Sequence, residues 1–279
     1  MGIRSWTLCL LAAALLAAGT PPGLAMPSVA GPTGIVSVPT AAVAPDYELQ
    51  TAVTYRSLQM YDAEVGESDV TIWALQALRG VSDDAELWAA YQRVTNGKDG
   101  NAWELGGKYR LGREVLADAE VSVGASIGRW VDAFGMPAIS PGITDIDTWK
   151  AYIVATRDLT PGRVPELEWE EPTGTRLIAS LGLLYVRADP DVGDSQALTR
   201  PFAGLQISQK TLSVALEYRA KDRSLDEKAV FSATLRRPVG DFITVELGTT
   251  NAGPLGFGTE DQDIFIRLGY DVPMYPGAY

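Results

Sequence analysis

From Asp46 onward the chain runs in short stretches of alternating apolar and polar residues, separated by clusters of Gly, Pro, Asp, Asn and Ser. A period of two sends successive side chains to opposite sides of an extended backbone, so each stretch reads as a β-strand with one apolar and one polar face. Residues 103–111 show this plainly. Trp103, Leu105, Tyr109 and Leu111 share one face, and Glu104, Lys108 and Arg110 share the other. Stretches 212–219, 243–247 and 264–271 repeat the pattern. The same test predicts twelve strands, at 47–58, 69–79, 85–94, 101–111, 118–129, 147–157, 175–186, 200–208, 212–219, 228–236, 242–248 and 263–271. Alternation is weaker in 69–79, 85–94 and 200–208, and the sequence leaves their facing open. No stretch has convincing helical spacing.

An even number of strands, with longer connections alternating with shorter ones, is the rhythm of an outer-membrane barrel: short periplasmic turns, longer external loops and both termini in the periplasm. The exception is the connection 158–174, which should be short and instead carries Glu166, Glu168, Trp169, Glu170 and Glu171. The predicted fold is therefore all-β, an antiparallel up-and-down transmembrane barrel of about twelve strands. The last strand would close against the first and leave no unpaired edge. Tyr55, Tyr91, Tyr109, Tyr185, Tyr218 and Tyr270 fall on apolar faces, where they would form girdles at the lipid–water interfaces. Leu216 is expected to face lipid and its neighbour Glu217 the lumen. Alternation cannot say which face is inside, so a secreted or periplasmic β-sandwich that binds glycans is the alternative.

The first residues agree with export. Arg4 precedes the apolar run 8–18 and a small-residue exit at Gly23-Leu24-Ala25, the order of a secretory signal peptide. The expected organisation is a signal peptide at 1–25, a lead-in at 26–45 and a barrel domain at 46–279. The chain has no histidine, and its single cysteine, Cys9, lies in the expected signal. Disulfides, thiolate or histidine catalysis and Cys- or His-ligated metals are thus excluded from the mature part. Loss of Arg4 moves the formal charge from -12 to -13. So acidic a chain repels nucleic-acid phosphates.

The segment Gly31-Pro32-Thr33-Gly34-Ile35-Val36-Ser37-Val38-Pro39-Thr40-Ala41, followed by Pro45-Asp46 and the first strand, is similar to the opening of YjbH-type exopolysaccharide-associated outer-membrane barrels. Those barrels begin with Gly-x-Thr-Gly, an apolar stretch, Pro-Thr-Ala and a long strand. The likeness covers this opening; beyond it only the strand rhythm is shared. The resemblance implies an outer-membrane barrel linked to exopolysaccharide. On physical grounds, Gly34, Pro39 and Thr40 suit a lead-in that packs at the rim or in the lumen.

No chemistry of a conventional barrel enzyme is readable, because those families use a histidine base. The acids at 166–171 read as a solvated loop. Asp189-Pro190-Asp191-Val192-Gly193-Asp194 reads as a turn-forming external loop rather than a calcium loop, since its glycine precedes the third acid. No metal, cofactor or catalytic residue is expected. The candidate lumen-facing residues are Arg56, Glu104, Lys108, Arg110, Glu120, Glu217, Arg219, Arg236, Glu246 and Arg267. They would line a small diffusion or export channel, or fill a structural envelope barrel. The expected partners are outer-membrane lipid, the outer-membrane assembly machinery, and small solutes or an anionic or neutral glycan.

Overall fold

The computed structural model describes residues 34, 36–46, 48–62, 66–95, 100–116, 119–131, 145–160, 175–209, 212–221, 228–240, 242–252 and 258–273. The expected signal peptide and the acidic residues 166–171 lie outside them. Twelve strands follow one another: β1 (Glu48–Asp62), β2 (Gly66–Ser82), β3 (Ala85–Thr95), β4 (Gly100–Leu116), β5 (Ala119–Val131), β6 (Ile146–Asp158), β7 (Arg176–Pro190), β8 (Gln196–Gln209), β9 (Leu212–Arg219), β10 (Val230–Val239), β11 (Ile243–Ala252) and β12 (Gly258–Pro273). Every strand pairs antiparallel with its sequence neighbours, and β12 pairs with β1 from Glu48↔Pro273 to Ser57↔Ile264. The sheet is thus one closed barrel, and the sandwich alternative is set aside. All twelve predicted stretches are strands. Several run further than the alternation suggested, notably β1, β2, β4 and β12, because pairing continues past the apolar residues into polar ones. β8 begins at Gln196 although the apolar signal starts only near Pro201.

The alternation resolves into outside and inside. Trp73, Leu75, Leu87, Leu105, Leu181, Leu216, Ile264 and Leu268 are exposed on the outer wall. A soluble protein does not leave so continuous an apolar surface in water, whereas a closed barrel in lipid needs it. Closure pairs every strand with two neighbours and removes the edges that hydrocarbon forbids. This exterior places the barrel in the outer membrane. Leu216 is 54% exposed and the adjacent Glu217 only 3%. The three strands of uncertain facing also resolve: Trp73 and Leu75, Leu87 and Tyr91, and Leu205 and Ile207 face out. Five of the six tyrosines are exposed, and Tyr55 is half-buried. Tyr55 packs edge-on against Trp73 with ring centroids 4.9 Å apart, and Tyr218 packs on Phe231 at 5.0 Å. Phe242 meets Tyr270 at 6.3 Å beside the β10–β11 connection. The last two pairs stand near opposite ends of the barrel, and Tyr55 with Trp73 stands midway along β1.

The start of β1 and the end of β12 lie at the same end of the barrel as the ends of β2, β4, β8 and β10, which by the rule for such barrels is periplasmic. On the inner wall, large rings lie sideways over glycines of the neighbouring strand: Trp88 over Gly106, Tyr152 over Gly124, Phe202 over Gly182 and Phe265 over Gly248. A Cβ at these glycines would sit 2.1–2.3 Å from a ring atom, so any larger residue would push the ring off the wall. The strand glycines thus serve close packing inside the lumen.

Candidate functional site

Residues 36–46 do not stay at the rim. They cross the lumen as a strap, and each step of the crossing is held by a wall residue. At the β2 side Asp46 makes a parallel bridge with Gly80, where a Cβ would stand 2.0 Å from the Pro45 carbonyl oxygen. Only glycine lets the strap leave the wall there. The Ala44 N–H donates to Glu86 Oε2 of β3 at 2.8 Å. Lys108 of β4 donates to the carbonyls of Thr40, at 3.3 Å, and Ala42, while also pairing with Glu86 at 2.9 Å. Ser122 of β5 donates to the Ala41 carbonyl at 2.7 Å, and the Ala41 N–H donates to Thr156 Oγ1 of β6 at 2.8 Å.

The far end is held by Glu217 of β9. Its carboxylate accepts the N–H groups of Val36, Ser37 and Val38 at 3.1, 2.8 and 3.0 Å, and the Ser37 hydroxyl as well. A bridge between Gly34 and Pro39 turns the strap here, so that successive amides converge on the anion. Bonds of this kind to a charged acceptor are each worth about 1.5–3 kcal/mol. The apolar strap residues Val36, Val38, Ala41 and Ala44 are fully buried and pack in one cluster with Leu78, Trp88, Tyr152, Phe202 and Phe265.

The ten residues selected from sequence fall into distinct groups. Arg236, Glu246 and Arg267 form one buried cluster across β10, β11 and β12. Glu246 Oε2 is 3.2 Å from Arg236 Nε and accepts Arg267 Nε at 2.9 Å. Lys108 and Glu217 clasp the strap. Arg110 pairs with Asp84 at 2.9 Å and stands 3.9 Å from Glu120, near the periplasmic end. Glu104 accepts Lys150 and the Ser126 hydroxyl, each at 2.6 Å. Arg56 is buried against Asp263 and the Ala252 carbonyl. Arg219 is buried at the end of β9, opposite Phe202 and Val230. The sequence reading missed Glu86 and Asp263, and of its two places for the lead-in, rim or lumen, the structure shows the lumen for residues 36–46. Glu86 lies in a weakly alternating stretch, and bonds to strap amides and carbonyls leave no mark in residue type.

Outside the lumen, Asp189 is held by Arg187 Nε at 2.9 and 3.0 Å, and Gly193 adopts a φ of 103° that suits a turn. Among the described residues no group of three acids is placed to hold a metal ion.

No protein-family model matches the chain, and no curated protein sequence matches it. Solved structures do. An outer membrane channel from Pseudomonas putida F1 superposes with a TM-score of 0.50 at 13% identity, covering 85% of this chain and 100% of that one. KdgM porin gives 0.49 at 12% identity over 78% and 98%. The translocator domain of the autotransporter NalP from Neisseria meningitidis gives 0.46 at 10% identity over 80% and 87%. The Pseudomonas likeness shows the architecture, a barrel of the kind found in outer-membrane channels.

Proposed function

We propose that the protein is a non-enzymatic outer-membrane channel for small hydrophilic solutes, narrowed by its own N-terminal strap. The carrying observation is the contrast along the lumen. The strap is wholly buried at its middle, while inward polar groups on either side keep contact with solvent: Glu104 and Lys150 toward the outside, Arg110 and Glu120 toward the periplasm. Eight strands leave almost no lumen and sixteen leave an aqueous channel, so a barrel of twelve has room that a strap can close. The paired acids and bases along the wall are of the kind that select ions and polar solutes. The resemblance of residues 31–41 to exopolysaccharide-associated barrels makes glycans the solute class of choice. Residues 1–25 act as the export signal in this reading, and the barrel domain is delivered to the assembly machinery.

Planar-bilayer recording tests this. Wild-type protein should give small, infrequent steps. Glu217→Ala, which removes the acceptor of three strap amides, should give larger and longer ones. Silence from both folded proteins across voltages and salts would instead make this a closed structural barrel, the second reading favoured by the buried Glu246 cluster.

A further inference from the structure

We propose that the inner wall of β3 to β6, immediately outside the strap, is a binding subsite for a neutral pyranose oligosaccharide. The inference rests on the channel reading and names the chemistry its lumen recognises. Two rows of the sheet build the site. In one, Trp88, Gly106, Ser126 and Lys150 follow in register across four strands; in the next toward the periplasm, Glu86, Lys108, Gly124 and Tyr152 do so. Glycine at 106 and 124 lets the Trp88 and Tyr152 rings lie along the wall, in the cluster that the strap covers. Flat aromatic faces of this kind suit the C–H faces of a sugar ring, which are apolar.

The second observation concerns the polar tips. Trp88 Nε1 and Tyr152 Oη are buried, with the residues only 4% and 8% exposed, and neither atom has a hydrogen-bond partner among the described residues. Buried Trp and Tyr polar groups normally find one, because an orphan costs its full desolvation. Both rings were held on the wall without need of those atoms; phenylalanine fills the same role at 202 and 265. A hydroxyl-rich ligand would satisfy both. Beside the rings, Glu104 and Lys150 form a polar lip that solvent already reaches, with the buried Ser126 hydroxyl bonded to Glu104. Lys150 and Glu104 neutralise each other, so the lip has no spare cation for a uronate carboxylate. That favours a neutral sugar.

The strap packs in the same cluster as the two rings, so strap and sugar compete for the wall. Loosening the strap should therefore tighten binding. The test is calorimetric titration of folded full-length protein in detergent with maltohexaose, and in parallel with a galacturonate hexamer. Maltohexaose should bind wild type weakly and Glu217→Ala at least about tenfold tighter. Glu217→Gln takes its place should that variant fail to assemble. In the strap-loosened background, Trp88→Phe and Tyr152→Phe keep a ring and remove one donor, and each should weaken binding roughly 2–10-fold, the range for one neutral hydrogen bond. The galacturonate hexamer should bind more weakly than maltohexaose. Absence of maltohexaose binding to the strap-loosened protein, affinity indifferent to both phenylalanine variants, or preference for the galacturonate would each overturn the proposal. Bilayer currents separate the two claims. Conducting protein that binds no sugar sinks the subsite and spares the channel; sugar binding without conductance does the reverse.

Discussion

Glu246 offers the sharpest test of how the inner wall is held together. It is fully buried and sits between two arginines, accepting Arg267 Nε at 2.9 Å and the Thr234 hydroxyl at 2.6 Å, with Arg236 Nε at 3.2 Å. Arg267 has no exposed surface either. Glu246→Gln keeps the volume but removes the carboxylate in direct contact with both guanidinium groups. Removing one partner of a buried pair costs roughly 3–5 kcal/mol, because the other charge stays desolvated and alone. With a urea slope of about 2–3 kcal/mol/M, the unfolding midpoint in lipid vesicles should fall by roughly 1–2.5 M. The double variant Glu246→Leu with Arg267→Met removes both charges and should recover more than half of that loss, since well-packed apolar residues replace buried pairs at little cost. Arg236, also buried, keeps an electrostatic interaction with Asp271 in the double variant. A loss below about 1 kcal/mol for Glu246→Gln, or a double variant no better than the single, would refute the claim that charge balance in this cluster sustains the barrel.

Three further outcomes follow from the same geometry. Unboiled protein should migrate differently from boiled protein on detergent gels and require detergent for extraction, because every strand is paired on both sides; identical migration would speak against closure. Leu216→Arg should cost roughly 2–4 kcal/mol of stability near mid-bilayer, while Glu217→Gln should leave assembly intact and change only the strap, as read by protease access to residues 36–44. Gly106→Ala should lower stability by about 1–3 kcal/mol by forcing Trp88 off the wall, and adding Trp88→Ala should restore part of it; unequal double-mutant terms are the readout, and strict additivity would deny the contact.

The barrel was legible in the sequence because period two is the direct imprint of a pleated wall between lipid and lumen. Stretches such as 103–111 and 212–219 carry it without interruption, and their inner residues Glu104, Lys108 and Glu217 are found on the inner wall. β2 and β3 were harder, since Ala74, Leu78, Trp88 and Ala90 are apolar yet face inward. Leu78 and Trp88 do so because the strap brings a hydrophobic core into the lumen and packs against them. The pairing of charges was less legible still. Composition showed acids and bases mixed, but which acid meets which base depends on register: Arg236 lies opposite Glu246, and Glu246 opposite Arg267. Glu217 has Ser232 and Gly204 opposite it, so its charge is met by the strap.

That last placement bears on whether the strap is a fixed filling or a removable one. The inner wall mixes small residues, Ala52, Ala74, Ala90, Ala102, Ser122, Ser232 and Thr234 among them, with long charged ones that pair along it, and its largest rings lie flat over glycines. In a twelve-stranded barrel such a wall leaves central room, and the strap occupies part of it. A permanent filling would be cheapest as long wall side chains interdigitating across the axis, as in smaller barrels. Here the filling is a separate stretch of backbone, attached through amide and carbonyl bonds that water can replace one for one. Glu217, which holds its far end, also lies within electrostatic reach of Arg267. Release of the strap would also uncover Leu78, Trp88, Tyr152, Phe202 and Phe265, so an open lumen is stable only with an occupant that covers those side chains as the strap does.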